Sequence, residues 1–357
     1  ADVVLQSDFK SPDDFTVSGE LLTHGVFDVA ALTGNPQFGG VEGAVSGEFT
    51  RNGRTMEGSA EAIVDSFTFN GYTYTDFNAH AALDDEIIRG NAKIDNEAIA
   101  FNLTGAWSFA PKHKLLEVEG VVERFVPSAM NLWGRYPGAS ISGVVDVALE
   151  GERFSNIPGY VRLSNVRFSP ADADALELSS LSLVADSARV TLRSDYADGE
   201  LSGAYSFPVI PSTVRDILSH SLPAVMGEGL HRNRGNDGMF NDFTFRLTLK
   251  NTEPLADFFH LPMSVIYPVE ITGEVSDISH DLALAVDAPY LRQGNKLVED
   301  SRLSAFVNGS EGTVGLDFTT TAPTKNGPLT LLLQASGQRD YVNTGVSWKI
   351  DRDRAYE

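Results

Sequence analysis

Cysteine is absent from this 357-residue chain, which excludes disulfides, thiolate metal sites and cysteine nucleophiles. An excess of basic residues is absent too, because 27 Lys and Arg stand against 49 Asp and Glu, a formal net charge of −22. The average field therefore repels phosphates and anionic headgroups, so we predict no nucleic-acid partner and no peripheral docking on an acidic membrane. The acidic residues form no long run, which indicates a spread, solvated surface.

Long apolar runs are also missing. No stretch reaches the roughly 18 apolar residues of a membrane-spanning helix, and the first residues, ADVVLQSDFKSPDDF, have neither a basic nor an apolar signal region. We therefore expect a soluble protein, either cytoplasmic or a mature or excised piece of a longer one. The charged end, DRDRAYE, follows the strand-like residues 344–350 directly and favours the excised piece.

Motifs that identify catalytic or cofactor sites are missing as well. The sequence contains no P-loop, no GxGxxG and no GxSxG, and its histidines form neither HxH nor HExxH. The seven histidines are dispersed, at positions 24, 80, 113, 220, 231, 260 and 280. We therefore predict no metal, no cofactor and no enzymatic activity.

Acidic and amide groups give two weak candidate sites. Asp65 and Asp76 are expected to face each other on the aromatic side of a hairpin, where two carboxylates could bind Ca²⁺ or act in glycoside hydrolysis. The interpretation that we favour is that the register frays there and both carboxylates reach solvent. The second candidate lacks the spacing of an EF-hand and predicts a solvated loop; it consists of Asn236, Asp237, Asn241 and Asp242.

Strand patterning is what the sequence has in abundance. Residues 66–75, SFTFNGYTYT, predict a β-hairpin, because Asn70-Gly71 supplies the two positive-φ positions of a type I′ turn. With a two-residue loop, one face carries aromatic rings and the other carries the hydroxyls of Thr68 and Thr73. The aromatic face, which either fills a core or binds a ligand, consists of Phe67, Phe69, Tyr72 and Tyr74.

The same period-two alternation recurs along most of the chain. Examples are residues 141–149 and 161–165, and a run in which one face carries Phe243, Phe245, Leu247 and Leu249. Gly, Asn and Asp punctuate these runs at intervals of about 8 to 12 residues, the spacing of successive antiparallel strands. The pattern predicts an all-β, antiparallel-rich fold whose strands are buried on one side only.

Helical signals are few and short, and they guide the predicted division of the chain. They lie at 126–132, at 211–225 and at 254–261, the last preceded by Thr252 as an N-cap. Residues 227–242, rich in Gly, Asn and charge, predict a loop or boundary. We therefore expect β-rich repeat modules in 1–226, with a short helix near 211–225, and a further β-rich module in 243–357.

A loose internal repeat is visible in residues 64–83, 161–185 and 286–307. Each block has a strand that ends in an aromatic residue or leucine, a polar turn and a second alternating strand. The starts lie roughly 100 to 125 residues apart, a spacing that favours stacked related modules. The alternative is that any all-β sequence resembles itself to this degree.

With these features the chain resembles the periplasmic AsmA-like family, specifically the TamB proteins of Gram-negative envelopes. The resemblance rests on FTFNGYTYTDFNAHAAL, LTLRSDYADGELSGAYSFPVIPSTVRDILSHSLPAVM and FNDFTFRLTLKNTEPLADFFHLPMSVIYPVEITGEVSD, and extends over most of residues 55–350. The chain lacks the family's amino-terminal membrane anchor and the carboxy-terminal domain that engages the outer-membrane protein TamA.

The resemblance implies a β-sheet bent into a gutter, or β-taco, in the periplasm, whose hydrophobic inner face moves phospholipid between the inner and outer membranes and supports outer-membrane assembly. A TamA-like partner would bind only through parts outside this chain. Two alternatives stay open, a secreted β-sandwich that binds glycans or another protein, and a β-sandwich glycosidase. The side chains expected to contact acyl chains are Phe67, Phe69, Tyr72, Tyr74, Phe243, Phe245, Leu247 and Leu249.

Overall fold

A computed structural model describes residues 1–134, 136–152, 158–172, 174–223, 240–338 and 341–351. Within these residues the strands form one large antiparallel sheet of 22 strands that is not closed into a barrel, accompanied by a few short helices. The prediction of an all-β, antiparallel fold is therefore confirmed. None of the described helices combines the length and the hydropathy needed to cross a membrane.

The chain divides into two compact units, Ala1–Leu181 and Ser182–Glu357. The sequence-based boundary at 227–242 lies outside the described residues up to position 239, and it stays a prediction. The same holds for two members of the oxygen-rich cluster, Asn236 and Asp237. The two described members differ in burial, because Asn241 is buried whereas Asp242 is exposed at the start of a strand.

The first unit contains a ladder of antiparallel strands in which β4 to β11 each pair with their neighbours in sequence. Strand β2 pairs with both β1 and β4, and the short β3 extends this end of the ladder. The elements are β1 (Asp2–Ser11), β2 (Asp14–Leu22), β3 (Phe27–Asp28), α1 (Val29–Thr33), β4 (Phe38–Asn52), β5 (Thr55–Phe69), β6 (Tyr72–Asp84), β7 (Ile87–Asp95), β8 (Ile99–Ser108), β9 (Lys114–Phe125), β10 (Ser140–Gly151) and β11 (Gly159–Ser169), followed by β12 (Leu176–Ala185), which runs into the second unit.

The predicted hairpin is confirmed in β5 and β6. Asn70 and Gly71 have φ values of 52° and 76°, as the type I′ turn requires. Phe67 stacks on its cross-strand partner Tyr74 with ring centroids 4.7 Å apart. On the other face the hydroxyls of the paired threonines, Thr68 and Thr73, share a hydrogen bond of 3.0 Å.

The pairing between strands is interrupted once in each of the three repeat blocks. At each interruption one Asp or Asn residue has a positive φ: Asp76 at 56°, Asn165 at 51° and Asp300 at 50°. Such a residue tolerates the left-handed conformation better than most and forms a bulge that re-aims the strand. The repeated strand character of the blocks is thus confirmed, and it includes a feature that strict alternation did not predict.

The interruption also determines where the two carboxylates of the predicted pair, Asp65 and Asp76, lie. Val64 pairs with Phe77 immediately beyond it, and Val64 is only 6% exposed. The rings of Phe67 and Phe77 contact each other at 5.7 Å, so the inward face changes its parity at this point. Asp65 and Asp76 are both exposed, which agrees with the solvated interpretation.

The second unit continues with the same antiparallel meander. Strands β13, β14, β15 and β17 to β22 pair in succession, and the two-residue β16 pairs with the end of β18. The elements are β13 (Arg189–Ser194), β14 (Ala197–Ala204), a 3₁₀ turn (Phe207–Val209), α2 (Ile210–Ser221), β15 (Asp242–Leu249), α3 (Glu253–Phe259), β16 (Ser264–Val265), β17 (Val269–Ser276), β18 (Asp281–Gln293), β19 (Lys296–Asn308), β20 (Thr313–Thr324), β21 (Gly327–Gln338) and β22 (Tyr341–Ile350).

The helix predictions are confirmed at two places and wrong at one. Helices α2 and α3 lie where the signals at 211–225 and 254–261 placed them, although α2 ends at Ser221. Thr252 is the N-cap residue of α3, but its hydroxyl accepts the Val265 N–H at 2.9 Å instead of capping the helix. Residues 126–132 form consecutive turns instead of a helix. Their backbone hydrogen bonds, such as the one from Leu132 N–H to the Pro127 carbonyl at 3.0 Å, do not follow the regular i to i+4 pattern of a helix.

A buried polar network fixes α2 to the sheet. The Asn241 side chain is fully buried; its Oδ1 accepts the Ser206 N–H at 2.7 Å and its Nδ2 donates to the Thr213 hydroxyl at 2.8 Å. The Asp277 carboxylate accepts from both the Thr213 hydroxyl and the Asn241 N–H, at 3.1 and 2.8 Å. Buried polar groups that satisfy each other specify one geometry, so this network sets where α2 lies.

We expect Asn241→Leu to lower the free energy of unfolding by about 2–4 kcal/mol, because the Ser206 N–H and the Thr213 hydroxyl lose a buried partner. The matched control is Asn343→Ala, which removes an exposed amide with one surface hydrogen bond to Tyr341. Urea denaturation of the two variants measures the difference. Equal stability of both variants would show that the network does not hold the helix.

Candidate functional site: an apolar face between packed rims

The second unit carries a continuous apolar surface on one face of its ladder. Cross-strand pairing places its side chains in two adjacent rows that run perpendicular to the strands, and we call these two rows the floor of the second unit. The first row is Leu247, Ile271, Val286, Leu303, Phe318, Leu333 and Val346. The second row is Phe245, Gly273, Leu284, Ala305, Leu316, Ala335 and Thr344.

Charge is confined to the opposite face of these strands. None of the floor residues is charged, whereas the alternate positions include Arg246, Glu270, Asp287, Arg302 and Asp317. There Arg302 forms an ion pair with Asp287 at 3.6 Å. A charge against hydrocarbon is costly, so the floor is the better suited of the two faces to long apolar ligands.

Helix α2 covers the floor along one rim. Ile217 of α2 is fully buried and belongs to a cluster with strand residues that are only about 5% exposed, Phe243, Val275 and Val307. The amphipathic side of α2 thereby takes the position of a second layer over one end of the strands. The chain's own side chains, and not a ligand, fill this rim.

Strand β16, which follows α3, covers the opposite rim of the same strands. Val265 of β16 packs against Val269 and Ala288, which are 3% and 2% exposed, and Leu249 and Leu291 pack around them. The floor of the second unit therefore lies between two covered rims. On the first row Leu247 and Leu303 are half-buried and belong to neither cluster of the described residues, whereas Ile271 and Val286 pack against the rim under β16.

The first unit repeats this arrangement with smaller side chains. One row across its strands is Gly47, Ala60, Ala81, Gly90, Gly105, Val118, Val147 and Val161. The adjacent row is Val45, Ala62, Ala79, Ala92, Leu103, Gly120, Val145 and Leu163. None of these residues is charged, and we call the two rows the floor of the first unit.

Two glycines of this floor are required by close backbone approach. A Cβ on Gly90 would lie 2.3 Å from the carbonyl oxygen of His80, and one on Gly105 would lie 2.4 Å from that of Glu117. Real side chains do not tolerate such contacts, so only glycine fits here. The row itself therefore carries only Gly, Ala and Val, whereas bulky side chains such as Trp107 lie beside it on the same face.

The aromatic hairpin face forms a covered rim of the first unit. Tyr74 packs with Ile94, Ala98 and the fully buried Met130 of the turn segment 126–132, which we call the cap segment. The cap segment is held by a reciprocal pair of bonds, in which each amide, of Asn70 and of Asn131, donates to the other residue's carbonyl at 3.1 and 3.0 Å. The hairpin's aromatic face is thus occupied by the chain itself.

The eight predicted lipid-contacting residues fall into two groups in the structure. Six lie at covered rims: the hairpin residues Phe67, Phe69, Tyr72 and Tyr74, and the strand residues Phe243 and Leu249. Phe245 and Leu247 lie on the floor of the second unit, where Phe245 also borders the cluster under α2. That these eight bind lipid stays a prediction, and of the eight only Leu247 lies outside the described hydrophobic clusters.

Sequence reasoning missed most of the floor. It also missed the network around Asn241 that holds α2 and the bonds between Asn70 and Asn131 that hold the cap segment. A signal for the change of inward face was present, since the apolar spacing switches from two to three between Val64 and Phe67 and again between Tyr74 and Phe77. No local signal links Asn241 to Thr213, because the residues are 28 positions apart. The stacking of His220 on His280, with ring centroids at 4.4 Å, is equally non-local.

The pKa shifts of Tyr74, Tyr205 and Asp198 arise from burial and from contacts within the fold. Burial raises the pKa of Tyr74, with the neighbouring Tyr72 acting in the same direction, and burial likewise raises the pKa of Tyr205, whose hydroxyl donates to the Asp186 carbonyl at 2.7 Å. The hydrogen bond from Lys250 lowers the pKa of Asp198. Within the described residues, no three His, Asp or Glu side chains are placed to hold a metal ion.

Comparisons with known proteins leave this geometry as the basis for a functional argument. No model of a known protein family matches the chain. Searches of curated proteins and of solved structures also find no significant match. The fold therefore defines the class, a protein built on one open antiparallel sheet with an uncharged apolar face.

We expect Met130→Ala to destabilise the protein by about 2–5 kcal/mol, because it opens a cavity beneath the cap segment. Leu132 provides the control in the same segment, since it is 53% exposed, and Leu132→Ala should change stability by no more than about 0.5 kcal/mol. Thermal or urea unfolding compares the two. A similar loss in both variants would contradict the assignment of Met130 as the residue that fills the rim.

The raised pKa of Tyr74 predicts a loss of stability at alkaline pH. The fold favours the protonated phenol, so its contribution is fully present below the ordinary pKa of 10.0 and is lost as the pH rises through the higher folded value. Tyr74→Phe should remove this part of the alkaline decline, whereas Tyr341→Phe, at a 66% exposed site, should leave it unchanged. Urea unfolding at a series of pH values measures the slopes, and identical slopes for the two variants would contradict the prediction.

Proposed function

We propose that this protein is a non-enzymatic lipid conduit of the TamB-like type, in which the uncharged floor holds phospholipid acyl chains in transit through the periplasm. The single observation that carries the proposal is the floor itself, a directly paired apolar row that crosses seven strands from Leu247 to Val346. Apolar surface that no described element covers is uncommon on a soluble protein and marks a binding surface.

The dimensions of the floor suit an acyl chain. Seven strands spaced about 4.8 Å apart give a row about 29 Å long. Half of the roughly 30 Å hydrocarbon core of a bilayer, about 15 Å, is the length that one acyl chain spans. A whole chain can therefore lie across the strands, and each CH₂ removed from water contributes about 0.8 kcal/mol.

The covered rims support the same function. An acyl chain that lies on the floor is flanked by α2 on one side and by β16 on the other, which keeps water from its sides. The headgroup has no dedicated basic pocket in this proposal, in keeping with the net charge of −22. Interaction through the acyl chains alone predicts transport without selection among headgroups, with any TamA-like partner engaged through other parts of the protein.

The described fold supports the conduit better than it supports the two β-sandwich alternatives. A β-sandwich needs two packed sheets, whereas the described strands form one sheet. A glycosidase needs two carboxyl groups about 5–10 Å apart around a sugar, and the one pair singled out in the sequence, Asp65 and Asp76, is exposed at a bulge. No specific observation favours either function over the conduit.

Photocrosslinking tests which face meets lipid. A photoreactive amino acid in place of Leu247, Leu303 or Phe318, in protein exported to a bacterial periplasm, should capture phospholipid that mass spectrometry identifies. The adjacent positions Thr248, Ser304 and Thr319 point to the opposite face and are the matched controls. Equal capture at both sets, or none at either, would sink the proposal.

A charge placed on the floor separates an open surface from a filled core. Leu303 and Val307 lie on the same face of β19, but Val307 is 5% exposed under α2. Leu303→Glu should cost about 1 kcal/mol or less and abolish lipid capture, whereas Val307→Glu should cost about 3–5 kcal/mol through an unpaired buried charge. Unfolding and lipid extraction measure the two effects, and severe destabilisation by Leu303→Glu would instead indicate a closed core.

A further inference from the structure

An exposed apolar loop lies beside the rim that β16 covers. We call residues 259–267 the apolar loop. Its large exposed side chains are Phe259 at 43%, Leu261 at 53%, Met263 at 42% and Tyr267 at 56%. No Asp, Glu, Lys or Arg occurs in residues 258–269, although charged residues make up 21% of the whole chain. The loop therefore presents an uncharged apolar surface to solvent.

The base of the apolar loop is fixed by hydrogen bonds. The Thr252 N–H donates to the Val265 carbonyl at 2.8 Å, and the Val265 N–H donates to the Thr252 hydroxyl at 2.9 Å. Ala256 of α3 is only 5% exposed, and its carbonyl accepts the Leu261 N–H at 2.8 Å. The loop thus holds its apolar side chains in solvent in a preorganised shape, so that little ordering is needed when it binds.

Apolar contacts connect the loop with the floor of the second unit. Val265, which lies within the loop, packs in the cluster that also contacts Ile271 and Val286 of the first row of the floor. Tyr267 contacts Tyr290 with ring centroids 5.1 Å apart. The exposed surface of the loop is therefore continuous with the rim that borders the floor.

The size of this exposed surface favours a lipid bilayer over a protein partner. A large side chain offers about 200 Å² when it is fully exposed, so four half-exposed ones present about 400 Å². A stable protein interface needs about 800 Å² on each partner. Insertion into a bilayer has no such threshold, because its strength scales with the apolar area that is buried, and tyrosine is favoured at the level of the headgroups.

We propose that the apolar loop docks this protein on a zwitterionic bilayer, with Leu261 and Met263 inserted among the acyl chains and Tyr267 at the level of the headgroups. The net charge of −22 disfavours an anionic surface, and the loop contains no acidic or basic side chain that a headgroup would have to pair. This inference goes beyond the proposed function, because docking on a bilayer does not require that the floor carries lipid.

A fluorophore on one introduced cysteine reports insertion, and no native cysteine competes for the label. Leu261→Cys, labelled with an environment-sensitive dye, should give brighter and blue-shifted emission when phosphatidylcholine vesicles are added. Ile278→Cys is the matched control, because Ile278 is a 68% exposed apolar residue of the same unit, in the turn between β17 and β18. Its label should not respond, and equal responses at the two sites would overturn docking through the loop.

Charge substitutions test the same contact without a label. Leu261→Asp and Met263→Asp should each weaken co-flotation with the vesicles at least about tenfold, because an apolar side chain is withdrawn and a charge does not enter the acyl layer. Ile278→Asp should bind as the unsubstituted protein does. All three positions are exposed, so circular dichroism should show intact folding. Unchanged binding in both loop variants would overturn the proposal.

Lipid composition and sedimentation distinguish the remaining outcomes. Phosphatidylglycerol in the vesicles should weaken binding, and added salt should relieve this effect, since the repulsion is screened. Self-association in lipid-free solution that Leu261→Asp abolishes would assign the loop to a second copy and overturn bilayer docking, as would a lack of binding to phosphatidylcholine vesicles. Lipid capture at Leu303 without vesicle binding would overturn this inference alone, whereas vesicle binding without capture would overturn only the proposed function.

Discussion

The structure depends on one constraint, the fixed pairing of successive antiparallel strands whose side chains alternate between two faces. Because directly paired residues lie on the same face, one apolar residue commits its partner on the next strand to the same side. The row from Leu247 to Val346 is the result of this rule applied strand after strand. An apolar face without charge therefore arises from local pairing, without any second sheet to define it.

Small packed modules then divide this face into rims and floor. Helix α2, held by the network around Asn241, covers one end of the strands in the second unit, and β16 covers the other. In the first unit the cap segment places Met130 against the aromatic hairpin. The aromatic residues, which attract attention in the sequence, thus stabilise rims, while plain Leu, Val, Ala and Gly positions line the floor. The function proposed for this protein rests on the second group.

The sequence by itself determined the all-β class, the hairpin turn at Asn70-Gly71, the register of Phe67 with Tyr74, and helices α2 and α3, because turn chemistry and periodicity act over a few residues. Only the tertiary structure decided that residues 126–132 form a cap of turns and that Asn241 joins Thr213 and Asp277. These depend on contacts between residues far apart in the chain, whose partners no local pattern specifies. Whether an apolar side chain meets its own protein or open space is decided in the same way, by what the fold brings over it.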